Sequence, residues 1–216
     1  TKKVIDHASN LKLISRVGIG LDNVDLMYAK ERGIKVSFTP DAPSPAVAEL
    51  TLGLTLALLR SVHVSNAQLH EGHWYRYFGR SLAEVKLGII GVGRVGTCIL
   101  KLLQGFGISQ IMVNDIAPNL ELNHEYNLNW CSKEEIYKKA DVISLHVPLD
   151  RSTEKILSDR EFSMMKPSAI VVNACRGPVV DEAALIRALD TGQIAGAGLD
   201  VTEIEPIEIS NALIGR

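Results

Sequence analysis

Short apolar runs alternate with segments of helical periodicity over residues 86–199. Several of these runs are apolar at nearly every position, which is typical of strands in a parallel sheet that helices cover on both faces. Strands that alternate with helices also predict βαβ units. We therefore predict an α/β fold with a doubly wound parallel sheet. The predicted strands are 86–90, 110–114, 141–145, 169–173 and 196–199, and the predicted helices are 94–104, 133–139 and 181–190.

A domain boundary is predicted near residue 44. Strands 11–15 and 34–38 flank a helix over 26–32 in the first part of the chain. The segment TPDAPSP, residues 39–45, contains three prolines, which exclude regular structure there and indicate a hinge. A single long helix, 46–69, and an arm rich in aromatic residues follow it. We accordingly predict one domain over 1–44 and another over 45–216.

Composition excludes several classes of protein. The formal net charge is −2, whereas a nucleic-acid surface needs a basic excess. The most apolar stretch, 50–59, is too short to span a bilayer. The three cysteines, Cys98, Cys131 and Cys175, are far apart and lack metal-ligand spacing. We therefore expect reduced thiols, no metal and a cytoplasmic protein.

Gly91, Gly93 and Gly96 have the G-x-G-x-x-G spacing, directly after a predicted strand and at the start of a predicted helix. In that context the first glycine permits a tight turn, the second lets the backbone approach a pyrophosphate, and the third lets helix and strand pack closely. The free N–H groups at the helix start, those of Arg94 and Val95, are the expected phosphate donors. The motif predicts a dinucleotide-binding Rossmann domain.

Asp115 ends the next predicted strand. A carboxylate there is expected to accept hydrogen bonds from both hydroxyls of the adenosine ribose and to repel a 2′-phosphate. Because no arginine lies beside Asp115, we expect NAD rather than NADP. The alternative is a glycine-rich turn and a strand-end aspartate in another kind of α/β protein.

Arg176 follows the apolar strand in IVVNACRGPVVDEAAL, residues 170–185. An arginine side chain is always charged and is seldom buried unpaired. It therefore either forms a structural ion pair or binds an anion, and the local sequence by itself favours the ion pair.

The chain resembles the D-isomer-specific 2-hydroxyacid dehydrogenases, a family that includes phosphoglycerate dehydrogenase and glyoxylate/hydroxypyruvate reductase, over nearly its whole length. The resemblance implies an NAD-binding Rossmann domain over 45–216, including a dimerisation helix and arm, and part of a flavodoxin-like substrate domain over 1–44. It also implies an NAD-dependent enzyme that interconverts a 2-oxo acid and a D-2-hydroxy acid by hydride transfer. The matching segments are RVGIGLDNVD (16–25), AVAEL (46–50), GIIGVGRVG (88–96), ADVISLHVPL (140–149), VNACRGPVVDEAAL (172–185) and AGAGLDVTEIEP (195–206).

Two catalytic residues follow from the resemblance. The family's arginine matches Arg176, which is expected to grip the carboxylate and carbonyl of a 2-oxo acid. The family's acid matches Glu205, which is expected to orient a histidine and raise its pKa. Glu205 can also be interpreted as a solvated acid in an acidic turn. The family's proton-donating histidine lies beyond Glu205 in a motif that this chain lacks, so we expect the chain to be part of a longer protein that is truncated at both ends.

The resemblance also implies further binding residues. Asp200 is expected to bind the nicotinamide amide. Backbone N–H groups of Ile19 and Gly20 are expected to complete the site for the substrate carboxylate. The nicotinamide is expected to be lined by His146, Val147, Pro148, Ala174 and Cys175. His146 is not interpreted as the acid/base, and Cys175 is interpreted as a small core residue rather than a nucleophile.

Two other functions stay open. The same fold serves NAD-sensing corepressor-like binding proteins, which keep the glycine loop, the arginine and the glutamate. The chain can also be an NAD-binding fragment without activity of its own. For every interpretation the resemblance implies a homodimer, through the predicted helix and the aromatic arm.

Overall fold

The structure is a computed structural model that describes residues 1–215. The chain separates into two compact units, of which the first is Thr1–Ala46 and the second begins at Val47. Each unit has its own buried apolar residues.

The first unit is built around a pair of parallel strands. Strand β1 (Leu13–Arg16) pairs in register with β2 (Lys35–Phe38). Helix α1 (Lys2–Asp6) precedes them, and α2 (Leu26–Glu31) lies between them in the chain. Asp25 begins α2 by accepting a hydrogen bond from the Tyr28 N–H at 3.0 Å. A small core of Ile5, Ala29 and Ile34 holds these elements together.

The long helix predicted over 46–69 is wrong in two respects. Helix α3 (Ser44–Leu59) begins inside the predicted irregular segment. Pro45 is tolerated there because backbone N–H groups in the first turn of a helix have no partner within the helix, so the N–H that proline lacks is not needed. The chain then bends by 65° into α4 (Val62–His70). Ser61 takes a left-handed φ of 51°, and the Leu59 carbonyl accepts the Arg80 N–H at 3.0 Å. This tertiary hydrogen bond uses a carbonyl that a continuous helix would need for itself.

The second unit contains a six-stranded sheet with the order β5-β4-β3-β6-β7-β8, and all of its pairs are parallel. The predicted doubly wound α/β fold is confirmed. The strands are β3 (Leu87–Ile90), β4 (Ile111–Asn114), β5 (Leu128–Trp130), β6 (Val142–Leu145), β7 (Ile170–Asn173) and β8 (Gly196–Leu199). The helices after α4 are α5 (Arg94–Leu103), α6 (Lys133–Lys139), α7 (Asp159–Met164) and α8 (Glu182–Asp190), with short 3-10 turns at Leu82–Glu84, Gln104–Phe106, Leu120–His124 and Gly177–Val179.

Strand β5 and helix α7 were not predicted. Strand β5 is only three residues long, LNW, and is half-buried, so it lacks an apolar run. Helix α7 has a sequence signal that was available: Ser158 and Glu161 have capping-box spacing.

Apolar residues fill both faces of this sheet, which explains why most of its strands are apolar at nearly every position. Ile143 and Leu145 of β6 belong to one core cluster, together with residues of α6, α7 and α8. Val142 of the same strand belongs to another, together with residues of α5. Successive side chains of a strand point to opposite faces, so both faces are covered.

The carboxyl ends of the parallel strands lie along one edge of the sheet. The chain passes from β3 outward to β5 and then crosses to β6 on the other side of β3. This reversal between β3 and β6 is a topological switch point, where open α/β sheets bind their ligands. The predicted cofactor residues follow the strands at this edge.

Candidate active site

The turn after β3 has the backbone geometry of a phosphate loop. Gly91 has φ +96°, and its N–H donates to the Asn114 carbonyl at 2.8 Å. A Cβ on Gly91 would lie 2.3 Å from the His146 carbonyl oxygen, and one on Gly96 would lie 2.4 Å from the Gly91 oxygen. Gly93 precedes α5, and no heavy atom lies within 4 Å of a Cβ built there. The loop is therefore closed toward the sheet and open at the helix N-terminus, where a phosphate can approach.

Asp115 is held against this loop. Its Oδ2 accepts the Val92 N–H at 2.7 Å, and its Oδ1 accepts the Ala117 N–H at 2.9 Å. A carboxylate oxygen can accept more than one hydrogen bond, so both oxygens keep capacity for a ligand hydroxyl. The structure thus brings Asp115 and the glycine turn together, as a dinucleotide site requires.

His146, directly after β6, is a neutral imidazole. Its Nε2 lies 2.6 Å from the Ser144 hydroxyl, and its Nδ1 is buried without a hydrogen-bond partner in the part of the chain that the structure describes. Burial lowers the pKa of His146 from its ordinary value to about 3. The side chain is therefore not an imidazolium near neutral pH and has no acidic proton to give to a substrate. The chain continues through Val147 and Pro148, whose carbonyl accepts the Thr153 hydroxyl at 2.6 Å.

The turn after β7 carries Arg176. The half-buried guanidinium donates from Nη1 to the Cys175 carbonyl at 2.6 Å. The Cys175 thiol donates to Asn173 Oδ1 at 3.1 Å, and burial raises the pKa of this thiol. A protonated thiol is a poor nucleophile, which supports the interpretation of Cys175 as a packing residue. Ala174 is buried beside it.

Two acids follow β8. The Asp200 N–H donates to the Asn173 carbonyl at 3.0 Å, and Asp200 is exposed. Glu205 is also exposed, and its Oε1 accepts the Thr202 N–H at 3.2 Å. Neighbouring Glu203 instead forms a salt bridge, in which its Oε1 lies 3.5 Å from Lys155 Nζ. The Glu205 carboxylate is thus exposed and hydrogen-bonded to the backbone of its own turn, and both interpretations of Glu205 fit this arrangement.

Ile19 and Gly20 lie in the first unit, in the loop after β1. The loop is fastened to the chain beyond β2, since the Gly18 N–H donates to the Thr39 hydroxyl at 2.8 Å. Ile19 is 38% exposed.

Sequence reasoning missed two residues of this region, Asn173 and Gly177. Asn173 is buried at the end of β7, and a Cβ on Gly177 would lie 1.8 Å from the Thr202 carbonyl oxygen. An asparagine that ends an apolar strand and a glycine next to the arginine were the available signals.

Metal and membrane signals are weak. Over residues 1–215, no group of three or more His, Cys, Asp or Glu side chains is placed to hold a metal ion. In the same range no single helix combines the length and apolar character needed to cross a membrane, although α3 and α4 together meet both criteria as a bent pair.

Comparison with known proteins identifies the family. Residues 52–216 match the model of the D-isomer specific 2-hydroxyacid dehydrogenase, NAD binding domain. The chain is 41% identical over 208 residues to hydroxypyruvate reductase of Thermotoga maritima, a match that covers 95% of this chain and 67% of that protein.

Two solved structures are also similar to the chain. D-lactate dehydrogenase from Aquifex aeolicus, complexed with NAD and lactic acid, superposes with a TM-score of 0.85 at 33% identity over 94% of this chain and 61% of that one. An NADPH-dependent glyoxylate/hydroxypyruvate reductase from Sinorhizobium meliloti, in complex with NADP and malonate, gives a TM-score of 0.86 at 32% identity. This match covers 98% of this chain and 66% of that one.

The chain thus spans 61–67% of the length of these relatives. The family prediction is confirmed, and the glycine turn of the second unit lies in the region that the family model matches. This chain belongs to the D-isomer specific 2-hydroxyacid dehydrogenases and contains the family's NAD binding domain.

Proposed function

We propose that this protein is an NAD-dependent oxidoreductase that interconverts a 2-oxo acid and a D-2-hydroxy acid. The observation that carries the proposal is the convergence of an open phosphate loop, a fixed carboxylate and an arginine at one edge of the sheet. They follow β3, β4 and β7, on both sides of the switch point.

The residues present fit a dinucleotide, because the Gly93 position leaves open space at the start of α5. Backbone N–H groups of Arg94 and Val95 would hold the pyrophosphate, and Asp115 would hold the adenosine ribose. When bound, NADH supplies the hydride that reduces the substrate carbonyl carbon. The nicotinamide side would be lined by His146, Val147, Pro148, Ala174 and Cys175, with Asp200 on its amide.

The substrate is held by charge and geometry. The Arg176 guanidinium would bind the carboxylate and the carbonyl of the acid with its planar fork. The backbone N–H groups of Ile19 and Gly20 stay predicted donors to the carboxylate. Glu205 orients a protonated histidine that gives a proton to the carbonyl oxygen. That histidine is not His146, since burial lowers its pKa to about 3.

Arg176→Lys in the full-length protein tests this proposal. Lysine keeps the charge but loses the planar fork. We expect kcat/KM for glyoxylate or hydroxypyruvate to fall roughly ten- to a hundredfold, the cost of one charge-assisted hydrogen bond in the transition state. NADH affinity, measured by nucleotide fluorescence, is expected to stay nearly unchanged.

Arg187→Lys is the matched control, because Arg187 also makes a fork. Its Nε and Nη2 lie 3.0 and 2.6 Å from the two carboxylate oxygens of Asp159 on the surface. This variant should keep its turnover. A loss in Arg176→Lys that only follows a lower melting temperature would show that Arg176 braces the fold. A wild-type protein that binds NADH without reducing any 2-oxo acid would favour a corepressor-like binding protein.

We further propose a homodimer in the cytoplasm. Trp74 and Phe78 of the aromatic arm are 82% and 97% exposed, and exposed aromatic groups are typical of interfaces. The free thiols of Cys98, Cys131 and Cys175 support a reducing compartment. The net charge of −2 gives no support for nucleic acid as a partner.

A further inference from the structure

We propose that Asn173 is a positioning residue that shapes the Arg176 turn and joins it to the segment carrying Asp200. Asn173 is the last residue of β7, between Leu145 of β6 and Leu199 of β8. It is 1% exposed, and a buried amide is costly unless its donors and acceptors are paired. Its catalytic consequence rests on the proposed function, but its structural role does not.

The Asn173 side chain holds the turn from both of its ends. Its Oδ1 accepts the Cys175 N–H at 3.1 Å, and its Nδ2 donates to the Arg176 carbonyl at 2.9 Å. An asparagine that bonds the backbone two residues ahead reproduces the geometry of a backbone turn. The Ala174–Cys175 and Arg176–Gly177 peptide groups are therefore both fixed. They flank the dipeptide Cys175–Arg176, and the direction of the guanidinium stem depends on them.

The Asn173 backbone fastens a second segment. Its carbonyl accepts the Asp200 N–H at 3.0 Å. Four residues after Asn173, Gly177 packs so closely on Thr202 that a Cβ would lie 1.8 Å from the Thr202 carbonyl oxygen. The turn that carries Arg176 and the segment from Asp200 to Thr202 thus form one packed assembly, with Asn173 at its base.

No other side chain of similar size makes this set of hydrogen bonds. Leucine fits the volume but removes both side-chain hydrogen bonds, and the Arg176 carbonyl then keeps the Val179 N–H at 3.2 Å. An aspartate carboxylate accepts from the Cys175 N–H but cannot donate to the Arg176 carbonyl. Asn173→Asp therefore keeps the hydrogen-bond acceptor of the side chain and removes its donor, whereas Asn173→Ala removes both groups.

Hydrogen exchange measured by mass spectrometry on the full-length protein tests the structural role without reference to activity. In Asn173→Ala we expect peptides covering 174–180 to exchange about five- to tenfold faster, as for the loss of one or two net hydrogen bonds. Peptides covering 199–205 keep the hydrogen bond to the Asn173 carbonyl, and we expect them to exchange faster because the loosened turn contacts them through Gly177 and Thr202. Tyr137→Phe is the control, because it removes one buried hydrogen bond, from the Tyr137 hydroxyl to the Ile156 carbonyl at 3.2 Å, in the core cluster against which Cys175 packs. It should leave both segments unchanged.

Kinetics of the same variants test the catalytic consequence. Asn173→Asp is expected to raise KM for glyoxylate and lower kcat/KM roughly ten- to a hundredfold, while NADH affinity changes less than about threefold, since a misplaced fork loses a charge-assisted hydrogen bond.

The outcomes are distinguishable. Unchanged exchange in both segments of Asn173→Ala, with stability lost as in Tyr137→Phe, would make Asn173 a packing residue and overturn the inference. Faster hydrogen exchange in Asn173→Ala together with full turnover in Asn173→Asp would overturn the inference that Asn173 positions Arg176. If the wild-type protein reduces no 2-oxo acid, the proposed function fails, and hydrogen exchange still decides whether Asn173 holds the two segments.

Discussion

At the scale of single residues, Asp115 has a structural role that its hydrogen bonds show and a recognition role that we propose. Its carboxylate is fixed by the N–H groups of Val92 and Ala117, so its charge stays beside the glycine turn. A fixed negative charge at the ribose favours a 2′-hydroxyl over a 2′-phosphate. Solved structures similar to this chain include an NADPH-dependent enzyme, so we propose that the preference for NAD depends on this residue rather than on the fold.

Asp115→Ala is predicted to narrow the preference for NADH over NADPH. NADH loses its ribose hydrogen bonds, whereas NADPH is relieved of repulsion, so we expect the ratio of the two affinities to shrink about tenfold or more. Fluorescence titration of both nucleotides measures it. Asp115→Asn keeps an oxygen that accepts the Val92 N–H but removes the negative charge, so this variant measures the effect of the charge alone. Equal affinities in the wild-type protein would contradict the assignment of Asp115.

His146 makes stability depend on pH. The folded protein binds a proton at His146 only near its lowered pKa of about 3, whereas the unfolded chain binds one near the ordinary 6.5. The neutral imidazole thus stabilises the fold fully above pH 6.5, and this contribution is lost as pH falls toward 3.

We predict that wild-type protein loses free energy of unfolding more steeply than His146→Gln between about pH 7 and about pH 5. The difference in slope is at most ~1.4 kcal/mol per pH unit, the value for one proton. Urea unfolding at several pH values measures it. Parallel curves for the two proteins would contradict a buried neutral His146.

At the scale of elements, side-chain caps define where several helices begin. Ser132 accepts the Glu135 N–H at 3.1 Å at the start of α6, and Asp181 accepts the Ala184 N–H at 3.0 Å at the start of α8. Asp181 also lies 3.1 Å from Lys155 Nζ. The Ala184 N–H, and then Lys155, lower the pKa of Asp181.

Asp181→Ala is predicted to lower the free energy of unfolding by about 1–2 kcal/mol, through loss of the cap. Asp181→Asn retains a capping oxygen and loses only the partly exposed ion pair, so we expect it to cost less than about 1 kcal/mol. Urea unfolding near neutral pH compares them. If both variants lose the same stability, the ion pair rather than the cap is decisive.

At the scale of the whole molecule, the proposed homodimer would form through the exposed aromatic arm. We predict that the full-length protein sediments at twice its chain mass at micromolar concentration. The double variant Trp74→Glu and Phe78→Glu should shift toward monomer, because charges desolvated in an apolar interface are unfavourable. Ile209→Glu is the control, since Ile209 is 94% exposed but lies outside the arm. A monomeric wild-type protein would contradict the proposal.

The sequence by itself determined the features that are encoded locally. Uniformly apolar runs between helical segments were sufficient for the parallel sheet, and the spacing of Gly91, Gly93 and Gly96 was sufficient for the turn after β3. These patterns reflect constraints that neighbouring residues impose on one another. The roles of Arg176 and Glu205 came from resemblance, and their geometry alone does not assign them.

Only the tertiary structure decided features that depend on residues distant in the chain. The helix break at Ser61 follows from the Arg80 N–H, which takes the Leu59 carbonyl. The lowered pKa of His146 follows from burial, to which every packed neighbour contributes. The role of Asn173 depends on Asp200, which β8 brings to it across the sheet edge. Such contacts form when strands align in register, and no short stretch of sequence specifies which partners will then meet.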